Sequence, residues 1–122
     1  MGWSIDNNKP VYIQLVEQLK SKIISGEFNH GDKIDSVRSL AEEAQVNPNT
    51  MQKALAELER QGLVFSKRTS GGFVTDDKEM IKSMKEELAG EEIRNLKINL
   101  KRLGFSEEEI IDLVISNIKE EN

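Results

Sequence analysis

The stretch that decides the fold is residues 35–62, DSVRSLAEEAQVNPNTMQKALAELERQG. Its first part predicts a short helix that begins near Asp35 or Ser36, both of which are good N-caps. Apolar residues then recur at the i, i+3, i+4, i+7 spacing of a buried helix face, namely at Val37, Leu40, Ala41 and Ala44. The pattern predicts a helix over residues 36–44.

A second helix follows after only two further residues, Gln45 and Val46. Asn47 is a suitable N-cap for it, and Pro48 suits the first helical position, where its missing N–H is no loss. The predicted buried face consists of Met51, Ala54, Leu55 and Leu58. Gly62 ends the pattern, so the sequence predicts a helix over 48–61.

Residues 63–75, LVFSKRTSGGFVT, change to the patterning of β-strands. Residues 64–67 and 72–75 predict two short strands around a turn at Thr69–Gly71. Two strands alone are marginally stable, so we expect this hairpin to pack against the helices. Two helices with a tight connection, followed by a β-hairpin, form the winged helix-turn-helix pattern.

The winged helix-turn-helix pattern predicts DNA binding through the second helix. Such a module places the start of this helix against base edges in the major groove. Asn and Gln bind adenine with two hydrogen bonds, and Lys reaches guanine or phosphate. Outside its buried face the helix presents polar or small residues, namely Asn49, Thr50, Gln52, Lys53 and Ala56. Phosphate contacts are predicted from the preceding helix start and from the hairpin, at Ser36, Arg38, Lys67, Arg68 and the slim backbone of Gly71.

Helical spacing also appears on both sides of this module. Before it, a helix from Pro10 carries the apolar series Tyr12, Leu15, Val16, Leu19, Ile23 and Ile24, and Gly26 ends it. After Asp77 the chain is helical again, with a kink or phase change expected at Gly90. Gly104 separates this helix from a last one, whose start has a capping box formed by Ser106 and Glu109.

The last helix carries apolar residues over more than half of its circumference, which two helices cannot bury on each other. A symmetric homodimer is the simplest way to cover them, because one patch serves both partners. Packing of the tail against the first domain is the alternative. The predicted dimerisation residues are Leu96, Leu100, Leu103, Ile110, Val114 and Ile118.

The composition excludes several kinds of site. The 122 residues include no cysteine, which excludes disulfides, cysteine-ligated zinc and thiol catalysis. A single histidine, His30, leaves no His pair for a metal, and we predict no catalytic residue, metal or cofactor. No apolar run approaches the roughly 18 residues of a transmembrane helix, and no signal peptide is evident, so we expect a cytoplasmic protein. Residues 1–75 carry nine basic and nine acidic side chains, whereas 76–122 carry eight and thirteen.

The segment from Pro10 to Val74 resembles the DNA-binding domain of the GntR family of bacterial transcription regulators. The Ser-Val-Arg-x-Leu-Ala motif (36–41), the turn Val-Asn-Pro-Asn-Thr (46–50) and the short two-helix tail are similar to the YtrA subfamily. This resemblance implies a mainly α-helical fold with a small β-hairpin wing. A winged helix-turn-helix domain over 1–75 is then followed by a helical dimerisation and effector tail over 76–122. A small molecule could bind in the dimer cleft, but the sequence identifies none.

The resemblance also implies a function. A homodimer would bind an inverted-repeat operator in double-stranded DNA, more often as a repressor, and would control a neighbouring transporter operon. Arg38 and the start of the second helix, including Asn47, would meet the operator, and the wing tip from Lys67 to Gly72 would touch the minor groove or its phosphates. Three positions depart from the family pattern: Asp35 and His30 stand where proline is usual, and Thr69 replaces a wing glycine.

The main alternative is a winged helix that binds another protein and no DNA. The neutral first part and the acidic tail are compatible with it. Individual residues also have simpler interpretations: Lys67 and Arg68 as solvated charges that protect an edge strand, and Asn47 as a helix cap only. The polar, basic-tipped face of the second helix favours DNA binding over this alternative.

Overall fold

The computed structural model describes residues 2–67 and 71–120, and in these residues it has five helices and one two-stranded sheet. The helices are α1 (Val11–Ile24), α2 (Val37–Ala44), α3 (Pro48–Arg60), α4 (Lys78–Arg102) and α5 (Glu107–Glu120). The strands are β1 (Val64–Lys67) and β2 (Gly71–Val74). The predicted fold class, mainly α-helical with a β-hairpin wing, is confirmed. The chain divides into two compact units, Met1–Lys82 and Ser83–Asn122.

Side-chain caps begin both helices of the helix-turn-helix. The Ser36 hydroxyl oxygen accepts a hydrogen bond from the Ser39 N–H at 3.1 Å, and the Asn47 side-chain oxygen accepts one from the Asn49 N–H at 2.7 Å. Between them, Gln45 adopts the left-handed conformation with φ 56°. This residue turns the chain sharply at the end of α2, which is how three residues suffice to connect the helices.

The core of the first unit lies where α1 and α2 pack against α3. Its largest fully buried side chains are Leu15, Leu19, Ile23, Leu40, Met51, Leu58, Leu63 and Val74. Four residues from the predicted apolar faces are not fully buried, namely Tyr12, Val16, Val37 and Leu55. Leu55 is half-buried and Tyr12 is 38% exposed, because both line open grooves beside α3.

The hairpin is antiparallel, with Val64 opposite Val74 and Phe65 opposite Phe73. The second strand begins at Gly71, one residue before the predicted start. Residues 31–34 run beside it: the Ile34 N–H donates to the Gly72 carbonyl, and the Val74 N–H donates to the Asp32 carbonyl, both at 2.9 Å. These bonds supply the additional pairing that a two-stranded hairpin requires for stability.

The segment before α1 is attached to one face of that helix. The side-chain amide of Gln18 exchanges two hydrogen bonds with the backbone of Ser4, and Gln14 does the same with Asp6. One turn further on, the buried ammonium of Lys22 lies 4.8 Å from the centroid of the Trp3 ring and 2.6 Å from a carboxylate oxygen of Glu27. Contacts at every fourth helix position therefore hold residues 3–6 along α1.

The second unit contains most of α4 and all of α5. The helix α4 continues through Gly90 without a break, since loss of one side chain costs only about 1 kcal/mol of helix stability. The predicted capping box at the start of α5 is present, with hydrogen bonds in both directions between Ser106 and Glu109. In the part of the chain that the structure describes, no helix is long and apolar enough to cross a membrane.

Candidate nucleic-acid interface

The first two turns of α3 present a row of polar side chains that have no partner among the described residues. Asn49, Gln52 and Lys53 are exposed, and Thr50 is half-buried. Within the described residues, the side chains of Asn49, Gln52 and Lys53 form no hydrogen bond or ion pair. Their donors and acceptors are therefore free to bind a ligand. We call these four residues the reading face.

The start of α2 lies beside the reading face. Ser36 uses a lone pair of its hydroxyl oxygen for the cap, and its O–H remains free to donate to a phosphate. Asn47 uses its side-chain oxygen in the same way, so its two amide N–H groups remain free to donate. Arg38 is exposed and forms no ion pair with any described side chain. Both cap residues thus keep hydrogen-bond donors in addition to their structural role.

Two concavities lie on either side of α3. The first, of about 650 Å³, separates α3 from the hairpin and is lined by Gln52 and Ala56 of α3, Ser36 at the start of α2, and Ser66 and Gly72 of the hairpin. We call it the wing cleft. It brings together the three elements that the sequence predicted to contact DNA.

The second concavity, of about 590 Å³, lies toward the start of α1 and is lined by Tyr12 together with Thr50 and Lys53. We call it the α1 groove. Tyr12 is not among the predicted site residues, because helical spacing places it in an apolar series. Its phenol ring fits that series, but only the tertiary arrangement shows that the residue is exposed at the edge of the reading face.

The charge of Glu57, which also lines the α1 groove, is compensated locally. Hydrogen bonds from the Arg60 guanidinium and from the Gln61 amide lower the pKa of this carboxyl from 4.5 to about 2. The Arg60 Nε donates to Glu57 at 2.8 Å. Glu57 is therefore ionised at neutral pH but paired, and Lys53 supplies an unpaired positive charge at the same groove.

The hairpin tip is described only in part. Lys67 ends β1 and Gly71 begins β2 directly opposite it. Arg68 and Thr69 lie outside the described residues. The contact of Lys67, Arg68 and Gly71 with DNA accordingly stays a prediction.

The second unit exposes a continuous apolar surface. Ile93 and Leu96 of α4, with Ile111 and Ile115 of α5, are between 41% and 64% exposed and line a groove of about 400 Å³. Ile110, one of the predicted dimerisation residues, is 8% exposed because it already packs inside this unit. Of the other predicted residues, Leu103 and Ile118 are exposed and Leu100 and Val114 are half-buried.

Comparison with known proteins agrees with this geometry. The HTH-type transcriptional regulator YhcF of Bacillus subtilis is 34% identical over 112 residues, which cover 92% of this chain and 93% of that protein. The HTH-type transcriptional repressor YtrA of the same organism is 32% identical over 85% of this chain and 81% of its own length. These relatives are transcription regulators and not enzymes.

Solved structures show the same fold. A GntR family transcriptional regulator from Listeria monocytogenes superposes with a TM-score of 0.85 at 36% identity, covering 92% of this chain and 98% of that one. The DNA-binding domain of AraR in complex with operator ORX1 has a TM-score of 0.52 at 29% identity, covering 62% of this chain and 92% of that one. The profile described as "Bacterial regulatory proteins, gntR family" matches residues 11–74. The chain belongs to the GntR family of DNA-binding transcription regulators and is similar to its YtrA-type members.

Proposed function

We propose that this regulator is a repressor that binds an inverted-repeat operator as a homodimer and reads base edges with α3. The observation that carries the proposal is the reading face, whose donors and acceptors are free and lie between two open concavities. Asn49 and Gln52 suit adenine, and Lys53 suits guanine. Ala56, one turn after Gln52, is small enough to let the helix approach the bases closely.

Residues beside the two concavities would contact the phosphates on each side of the major groove. On one side, Ser36, Asn47 and Arg38 would contact a strand that passes along the rim of the wing cleft, together with the wing residues Lys67, Arg68 and Gly71. On the other, Tyr12 would donate its hydroxyl to a phosphate near the α1 groove. A helix seated in the groove would thus be held from both sides.

The apolar surface of the second unit supports the homodimer. Four large apolar side chains open to water around one groove are costly for a chain that acts alone, and a twofold axis lets the same surface cover itself. The two winged helix-turn-helix domains of the dimer then bind two half-sites of the operator. The centres of such half-sites are commonly one helical turn of DNA apart, about 34–36 Å. We propose Ile93, Leu96, Ile111 and Ile115 as the centre of this interface.

Repression is proposed because YtrA, similar over most of this chain, is named a repressor. The resemblance to the YtrA subfamily extends the proposal to an operator at a transporter operon that includes the gene for this protein, and to a cytoplasmic location. A small-molecule effector would bind in the cleft between the two copies of the dimer.

Selection from a pool of random duplexes tests this function. The full-length protein is expected to enrich an inverted repeat, and its affinity for that duplex should exceed its affinity for a scrambled duplex by about 10³ or more. The selected sequence is then sought upstream of the protein's own gene. A protein that enriches no sequence and binds both duplexes equally at low salt contradicts sequence-specific regulation by this chain.

A further inference from the structure

Two acidic side chains lie in the wing cleft beside the reading face. Asp35, directly before the Ser36 cap, and Glu59 of α3 both line this concavity. Glu59 follows Gln52 by seven residues, which places both on the same side of the helix, two turns apart. The cleft therefore combines residues expected to attract DNA with two that repel it.

Neither of these carboxylates has a close basic partner among the described side chains. Glu57, two residues before Glu59, is paired with Arg60. Among the side chains that the structure describes, no Lys or Arg nitrogen lies within 4.0 Å of Asp35 or Glu59. Within the described part of the chain, the lining of the cleft has the two carboxylates and one basic group, that of Lys33.

The cleft lies where a DNA strand would pass. With α3 in the major groove, the flanking strand runs between the helix and the wing, over the start of α2. Ser36 at that helix start would otherwise favour a phosphate, because the free N–H groups and the helix dipole attract anions. Asp35 and Glu59 place negative charge next to this position.

We propose that Asp35 and Glu59 are specificity determinants that act by repulsion: they keep phosphates out of the wing cleft in complexes with non-operator DNA. The inference rests on the proposed DNA-reading function. Non-specific binding depends only on attraction between the protein and the charged DNA backbone. In such complexes the phosphates therefore lie against the most positive parts of the protein surface. In the operator complex, base contacts from the start of α3 set the position of the strand. The two carboxylates therefore weaken mainly the non-specific complexes.

The test compares isosteric variants on two duplexes, the operator selected by the wild-type protein and a 30-base-pair duplex of scrambled sequence. In Glu59→Gln and Asp35→Asn, affinity for the scrambled duplex is expected to rise roughly three- to ten-fold, and affinity for the operator by less than about two-fold. The ratio of the two affinities, which measures specificity, should fall accordingly. The scrambled complex should also become more sensitive to salt.

Glu43→Gln is the matched control, because Glu43 is exposed on α2, does not line the wing cleft and changes the net charge by the same amount. It is expected to leave the ratio unchanged. Equal tightening on both duplexes, no tightening on either, or the same change in the control would each overturn the proposal. A wild-type protein that selects no operator would instead overturn the proposed function itself.

Discussion

At the scale of single residues, the side chains expected to contact DNA differ from other polar side chains in having no partner among the described residues. Arg60 is paired with Glu57, and Lys22 is paired with Glu27 and lies over the ring of Trp3. Arg38 is exposed and has no carboxylate partner among the described residues. The guanidinium of Arg38 is therefore available to bind a phosphate.

Arg38→Ala is expected to weaken binding to operator and scrambled DNA alike. Loss of one phosphate contact should also reduce the slope of log K against log salt concentration by about 1. Binding titrations at four salt concentrations measure both effects. Arg94→Ala, which removes an exposed arginine from the second unit, is the control. An unchanged slope in the Arg38 variant would exclude a phosphate contact.

At the scale of the elements, local sequence signals predicted the helix starts well. Ser36, Asn47 and Ser106 cap the helices as expected, because these bonds join residues two or three positions apart. The exposure of Tyr12 and the burial of Ile110 depend on neighbours distant in sequence, which spacing alone does not reveal. The reading face was predictable because a polar side of one helix is a local property.

The glycines of the second unit give opposite predictions for the same substitution. A Cβ on Gly90 would meet only the flexible end of Arg94, at 3.3 Å, so Gly90→Ala should stabilise α4 by up to about 1 kcal/mol. Gly104 has φ +100°, a conformation that alanine adopts only with strain, so Gly104→Ala should destabilise the protein by about 1 kcal/mol. Chemical denaturation measures both, and effects of equal sign would contradict this assignment.

Glu107 connects the start of α5 to α4 through two lysines. Hydrogen bonds from Lys97 at 2.7 Å and Lys101 at 3.1 Å lower the pKa of this carboxyl from 4.5 to about 2. A lowered pKa in the folded state stabilises the fold above pH 4.5, and this contribution is lost as the pH falls toward 2. The stability difference between wild type and Glu107→Gln should therefore be constant above about pH 5 and shrink below it. Denaturation at several pH values checks this, and a difference independent of pH would contradict it.

At the scale of the whole molecule, the proposed dimer raises operator affinity, because two DNA-binding domains that each bind weakly contact the same operator. Ile115→Asp places a charge in the proposed interface, whereas Ile98→Asp changes an equally exposed isoleucine of α4 that does not line the apolar groove. Sedimentation velocity is expected to show monomers for the first variant and dimers for the second. Operator affinity should fall only in the first. Dimers in both variants would place the interface elsewhere.

Base reading by the exposed polar side of α3 is tested by Gln52→Ala. Affinities of wild type and variant are measured for the selected operator and for every single-base substitution in one half-site. We expect the variant to lose about 1–3 kcal/mol of discrimination at one base pair, the one contacted by Gln52, and to keep its discrimination at the other positions. Discrimination that stays the same at every position would contradict it.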